Sequence, residues 1–320
     1  MVDKYFEMTP HRRGRRRHRV PAILVLLALV GTVTACATRG RGSVPPGTTQ
    51  PDQFLFERGN ALLQEKKWLT AREFFKQLTE TYTQSPLRPD AKLAIGDTYL
   101  GEGSTEALVL AQNEFQEFLS FYPTHQRADY AQYKLAMTHF RQMRAPQRDQ
   151  SETRETIREL QTFVARYPSS DLMSEVQAKL REAKDRLATA DYEVGVFYYR
   201  QRWYPGAIDR LGTLIKSDPE YTGRDAAYFY LGESLLKVNR PAEALPYYER
   251  LVAEYQQSEH LEDSRKRIAS IRAEMAAKGI DPVKPKDADA AASAPATLAP
   301  AAPAAAAQPA SGGAVVSNPR

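Results

Sequence analysis

A single cysteine stands among 320 residues, so no disulfide can form within the chain and the fold has to rest on packing. Histidine is nearly as scarce. Beyond residue 35 only His125, His139 and His260 remain, and they share no metal-ligand spacing such as His-Glu-x-x-His. No nucleophile elbow, Walker loop or dinucleotide fingerprint is present, because Gly101-Glu102-Gly103 lacks the third glycine and follows a helical pattern rather than a strand. These absences argue against an enzyme and supply no residue set for a cofactor or a metal. The period-two alternation of strands is missing between residues 53 and 279, where apolar residues recur at helical spacing between Pro-containing breaks. The apolar run Val20–Val33 is too short for a membrane span, which takes about 20 residues.

A net charge of +5 and a pI near 9.1 invite a nucleic-acid reading, but the surplus sits at one end. Residues 1–35 hold Lys4, Arg12, Arg13, Arg15, Arg16, Arg17 and Arg19 against Asp3 and Glu7, which leaves 37 basic and 37 acidic residues in the remainder. No nucleic-acid partner is expected. The same 35 residues have the parts of an export signal: a cationic stretch, an apolar run, and small residues before a cysteine. Val33-Thr34-Ala35-Cys36 resembles the bacterial lipobox, which implies that Cys36 carries diacylglycerol and becomes the first residue of the mature chain. Each buried methylene is worth about 0.8 kcal/mol, so two or more acyl chains on Cys36 would hold the protein on a membrane. Ala37 resembles the outer-membrane sorting pattern rather than the Asp associated with inner-membrane retention.

Residues 36–52, rich in Gly, Pro and Thr, read as a flexible tether from the lipid, and residues 280–320 as an Ala/Pro-rich disordered tail. Residues 53–279 read as an all-α tetratricopeptide-like repeat solenoid of about five helix pairs with a C-terminal capping helix. The clearest pair of units is Gly195-x-x-Tyr198 with Tyr204, Ala207, Leu211 and Leu214, and Leu231-Gly232-x-x-Leu235 with Ala244, Tyr248 and Leu251, offset by 37 residues. The first unit runs from Gly59 through Trp68, Ala71, Phe75 and Leu78. The second runs from Gly96 through Ala111, Phe115 and Phe118, with a short insertion between its helices. The third is the weakest: Leu135-Ala136, a loop Arg144–Ser151, then Leu160 and Phe163. In each, a small residue in helix A (Gly59, Gly96, Ala136, Gly195, Gly232) lets helix B approach. From Pro168 to Tyr199 no breaker appears, which predicts a helix much longer than one repeat element, and Leu261–Met275 predicts the cap.

The template turns certain residues into the concave groove, where the repeat seam does not account for apolar side chains. They are Phe56, Asn60 and Leu63, then Asp97, then Tyr130, Tyr133, Met137, Phe140 and Arg141, then Tyr192, Val196, Tyr199 and Arg200. Two readings are open: the aromatics, flanked by Arg141 and Arg200, seat an extended peptide with apolar side chains, or they are covered by the long helix or the next repeat. Trp68, Trp203, Tyr198, Tyr199 and Tyr204 form another aromatic set. At repeat positions such residues are more often core than a ligand cage.

With the lipobox and five repeats in place, Tyr167-Pro168-Ser169-Ser170 through Leu187-Ala188, Tyr192-Glu193 to Tyr198-Tyr199, and His125-x-x-Ala128-Asp129-Tyr130-Ala131-x-Tyr133 resemble the BamD family of outer-membrane assembly lipoproteins. The similarity covers about Gln53 to Met275. It implies a periplasm-facing lipoprotein of the outer membrane, in the complex that folds and inserts β-barrel proteins. The partners it implies are unfolded outer-membrane proteins at the N-terminal repeats, the periplasmic domains of a BamA-like barrel insertase at the C-terminal repeats, and other assembly-complex lipoproteins. Arg210 aligns with an arginine of the family's partner-facing half, and the Ala/Pro tail departs from compact family members. The rival is a periplasmic tetratricopeptide adaptor of the Tol-Pal and cell-wall synthesis system. That family typically lacks a lipobox and carries an N-terminal coiled coil.

Overall fold

Gly59, Gly195 and Gly232 each sit where another helix leaves no room for a side chain. A Cβ on them would fall 2.6 Å from, respectively, the Phe75 ring, the Leu211 Cδ2 and the Tyr248 ring, in each case the residue sixteen positions on. That one spacing, repeated three times, is the repeat's helix A to helix B contact. The computed structural model describes residues 44–279. Among them are eleven helices: α1 (Pro51–Gln64), α2 (Trp68–Thr81), α3 (Arg88–Glu102), α4 (Thr105–Phe121), α5 (Ala128–Phe140), α6 (Ser151–Arg166), α7 (Met173–Arg200), α8 (Tyr204–Ser217), α9 (Arg224–Lys237), α10 (Pro241–Glu254) and α11 (Leu261–Lys278). They supply the five A/B pairs and the capping helix, so the fold is an all-α tetratricopeptide-like array.

The first helix begins at Pro51, two residues before the boundary read from the sequence, because proline at the start of a helix has its φ already set and loses no hydrogen bond. In repeats one, four and five the A/B turn is the same: Lys66, Arg202 and Asn239 take positive φ of 57°, 62° and 61°. The following N–H reaches back to close the A helix, as Lys67 does to Leu62 (2.9 Å) and Trp203 to Tyr198 (2.9 Å). In repeat two the insertion is not a loop. The α3–α4 connection is only Gly103-Ser104, and the extra residues lengthen α4, whose start precedes Ala111 by six positions where the α2 start precedes Ala71 by three.

The chain divides into two compact units after Gly101. In the first, α1 and α2 close on Leu55, Leu62, Ala71, Phe75 and Leu78. Buried Arg72 joins α2 to α3: its Nε donates to Thr98 Oγ1 at 2.9 Å and its guanidinium lies 3.5 Å over the Tyr99 ring. In the second unit each helix from α4 to α11 packs on the next, and α7 also meets α9. Its C-terminal half is filled by Leu211, Leu214, Ala227, Tyr228, Leu231, Leu235, Leu245, Tyr248, Leu251, Ile271 and Met275. The long helix appears as expected, with 28 residues. A related clip holds the start of an A helix in both units: Ser85 donates to Asp52 (2.7 Å) and Ser170 to Asp129 (2.6 Å).

Candidate partner-binding face

In the first unit, Phe56 on α1 is half-buried and edge-on to Phe75 at 5.9 Å, while Asn60 on α1 and Asp97 on α3 are half-buried. Leu63 on α1 is half-buried as well; the remaining inner-face residues belong to the second unit, and they form two clusters rather than one groove. On α5, Tyr133 is buried and its hydroxyl donates to Glu175 Oε1 of α7 at 2.5 Å. Burial, then the bond to that carboxylate, raises the Tyr133 hydroxyl above its ordinary value. Phe140 lies beneath the Lys179 ammonium at 4.4 Å, and Met137 is buried. Here the reading in which the long helix covers the residues is the one realised. Tyr130 stays half-buried, with the Arg127 guanidinium 4.5 Å and the Lys134 ammonium 5.0 Å from its ring centroid, and Arg141 is exposed.

The second cluster stands about 30 Å further along α7, given 1.5 Å per residue between Lys179 and Tyr199. Tyr192 and Tyr199, one helical face apart by seven residues, both meet Tyr230 of α9, at 6.2 and 5.3 Å. Phe229 stacks flat on His260, centroids 4.2 Å apart and planes 2° from parallel, with Tyr230 edge-on to the same imidazole at 5.8 Å. Burial raises the Tyr192 and Tyr199 hydroxyls, so these phenols are neutral at any physiological pH. Behind them, buried Glu233 accepts from Tyr248 Oη (2.8 Å) and takes a two-pronged bond from Arg267 of α11, Nε at 2.6 Å and Nη2 at 3.1 Å. This fork fixes the capping helix to repeat five. The Phe229, Tyr230 and His260 contribution was not read from the sequence, where repeat five was used for register only. The run Tyr228-Phe229-Tyr230 in helix A was the available signal.

Arg200 and Arg210 are exposed. Among the aromatics expected in the core, Trp68, Tyr198, Tyr199 and Tyr204 are half-buried, but Trp203 is 55 % exposed, because it occupies the turn before α8 rather than a seam position. Cys36, the signal 1–35 and the tail 280–320 lie outside the described residues. Among those that are described, no group of three or more His, Cys, Asp or Glu is placed to hold a metal, and no helix is long and apolar enough to cross a membrane.

Stacked helix pairs with aromatic and arginine side chains on the A helices define a tetratricopeptide-type protein, the class that offers an extended surface to other polypeptides. The family model described as YfiO, outer membrane lipoprotein, matches residues 48–242, and the chain belongs to that family. It is similar to the outer membrane protein assembly factor BamD of Caulobacter vibrioides, 26% identical over 226 residues, covering 70% of this chain and 73% of that one. The BamD of Xylella fastidiosa strain 9a5c is 21% identical over 222 residues, 66% of this chain and 74% of its own. Among solved structures, the TPR2AB domain of yeast Sti1 aligns with a TM-score of 0.43 at 13% identity, over 72% of this chain and 87% of that one.

Proposed function

We propose that this chain is a lipid-anchored scaffold of outer-membrane protein assembly, acting by holding other proteins rather than by catalysis. The observation that carries the reading is the family match through most of the repeat array, together with relatives that are themselves outer membrane protein assembly factors. In its finer form, residues 1–35 direct export, lipid on Cys36 anchors the chain in the outer membrane facing the periplasm, and residues 36–52 give the repeats reach. The C-terminal repeats, with Arg210, engage the periplasmic domains of a BamA-like insertase, other assembly lipoproteins join, and unfolded barrel proteins meet the N-terminal repeats with Phe56, Asn60 and Asp97. The Tyr192, Tyr199 and Tyr230 surface supports such a role, since rigid aromatics with few rotatable bonds give large contact area at low entropic cost.

Depletion of the chain in its native bacterium, with a second allele supplied, tests this. Folded β-barrel proteins of the outer membrane should fall and be restored by the wild-type gene. Cys36→Ser protein should appear in the soluble periplasmic fraction with an unchanged thermal midpoint. Undiminished barrel levels after depletion would contradict the assembly role, and membrane retention of Cys36→Ser would contradict the anchor.

A further inference from the structure

Four of the five A helices begin eight residues before their small residue: α1, α3, α5 and α9 start at Pro51, Arg88, Ala128 and Arg224, ahead of Gly59, Gly96, Ala136 and Gly232. The fifth, α7, starts at Met173, 22 residues ahead of Gly195. Its additional 14 residues displace the α6–α7 turn by about 21 Å at about 1.5 Å per residue. Running back from that turn, the 16-residue α6 packs on the extension and reaches only about as far as Ala190. The consequence falls on two positions, one before and two after the small residue. In repeats two, three and five these are Ile95 and Thr98, Leu135 and Thr138, and Leu231 and Ser234, all buried. The B helix of the preceding repeat lies against each: Arg72 of α2 reaches Thr98, Gln112 of α4 reaches His139 of α5 at 2.9 Å, and α8 packs on α9. Repeat one, with no B helix before it among the described residues, carries exposed Arg58 and Ala61 there. Repeat four carries Val194, 39 % exposed, and Phe197, 56 % exposed. The largest apolar side chain of the ten is therefore an exposed one.

The surface around these two residues has the dimensions of a helix. With Leu187 and Ala190 they form a stripe at i, i+3, i+7 and i+10 of α7, about 15 Å long. The loop of repeat three runs along one side of it, latched by Gln147 donating to Glu193 at 2.6 Å, and loop and stripe enclose a cleft of about 500 Å³. At the other end Tyr198 and Trp203 continue the apolar surface from Phe197, with ring centroids 6.0 and then 4.6 Å apart. Charge gives the cleft a direction. Asp149 accepts from the Ser151 backbone and hydroxyl (3.1 and 3.0 Å) and Glu193 from Gln147, which leaves exposed Arg148 and Arg154 beside the start of α6 to meet a ligand's charge. The last turn of a helix, with its unpaired carbonyls and negative dipole end, suits that pair. Half-buried Asp191, on the flank of the stripe, suits a basic residue earlier in the same ligand. We propose that this surface seats an amphipathic helix of another protein, antiparallel to α7 and in line with α6. Its apolar face covers Val194 and Phe197, and a carboxylate of its last turn meets Arg148 and Arg154. The ligand stands to α7 as α4 stands to α5 and α8 to α9. A folded second copy is unsuited, because among the described residues its other exposed large apolar side chains, Leu69, Val109, Leu110 and Phe121, make no continuous stripe.

The test uses the full chain and a synthetic helix kept folded by a hydrocarbon staple. The peptide has the 14-residue length of α8, leucine at i, i+3, i+7 and i+10, and glutamates in its last turn; a second peptide has lysines in their place. The wild-type chain should bind the glutamate peptide saturably and more tightly than the lysine peptide. Phe197→Ser should weaken that binding about tenfold or more, as for truncation of a buried anchor. The double variant Arg148→Glu with Arg154→Glu should prefer the lysine peptide. All three substitutions are at exposed positions, so thermal midpoints should match the wild type. Should Phe197→Ser lower the midpoint, Val194→Ser makes the same comparison. Absence of saturable binding, equal affinity for the wild-type and Phe197→Ser chains, or an unchanged peptide preference after charge reversal would each overturn the proposal. So would a wild-type chain that sediments as a dimer where Phe197→Ser sediments as a monomer, which would assign the surface to a second copy. Peptide binding reads this surface alone, so its failure leaves the assembly role, read from barrel levels, untouched.

Discussion

Gly195 and Gly212 are both helical and both buried, yet a methyl group would meet opposite receptions at the two sites. At Gly195 it would press on Leu211 at 2.6 Å, whereas at Gly212 nothing lies within 4 Å. Gly195→Ala should therefore cost about 1–3 kcal/mol by overpacking. Gly212→Ala should gain about 0.8–1.0 kcal/mol, since alanine removes the helix penalty of glycine without a clash. Thermal unfolding of the two variants should show midpoints moving in opposite directions, and a common direction would contradict the seam geometry. The small A-helix residues were legible in the sequence because one spacing recurs through the repeats. The fate of individual aromatics was less so. Phe140 and Tyr199 occupy the same template position, four residues after Ala136 and Gly195, but Lys179 of α7 lies over Phe140 while Tyr199 meets Tyr204 and Tyr230, and the repeat pattern does not say how far α7 reaches.

Among the elements, α7 has the largest consequences. Its first half is tied to the turn before α9 by Arg181, whose Nη1 donates to Asp218 Oδ1 at 2.9 Å while Nη2 reaches both Asp218 and Asp185. Burial alone would raise the Asp218 carboxyl, but the Arg181 hydrogen bond and charge outweigh it and hold that group below its ordinary value. A carboxyl lowered in the folded state stabilises in full above the unfolded value, about 3.9 for Asp. That contribution fades as pH falls through the lower, folded value. Asp218→Ala should then lose about 1.5–3 kcal/mol at neutral pH, as for a hydrogen bond to a charged group. Its deficit against the wild type should shrink in acid below about pH 3.9. A deficit that stays constant down to strong acid would show that the carboxylate is not what holds α7 there. The length of α7 was legible because no breaker interrupts its pattern. Other element boundaries were not. Pro246 lies inside α10, where a proline normally costs about 3 kcal/mol, and the helix persists because Leu245, Tyr247 and Tyr248 are buried around it. The loop of repeat three has an order that no composition rule reveals, with the Gln150 amide donating to the Ala145 and Arg148 carbonyls at 2.9 and 3.0 Å.

At the scale of the whole molecule, charge and chemistry divide along the chain. The basic excess is confined to the first 35 residues, the one cysteine follows it at position 36, and residues 53–279 are charge-balanced repeats whose side chains pack or present surface. Fold class and repeat register were legible because packing requirements recur with a period that sequence preserves. The candidate surface residues were only partly legible, because a solenoid's seam and its inner face both call for aromatics, and only packing separates Trp203 and Tyr230 from Tyr228 and Tyr248. The most direct measurement is a pulldown of the tagged, lipidated chain from detergent-solubilised membranes, with partners identified by mass spectrometry. Recovery of an outer-membrane barrel protein bearing periplasmic repeat domains is the predicted result. Recovery of Tol-Pal or cell-wall synthesis proteins without that barrel would contradict the assembly role and assign these repeats to a different envelope complex.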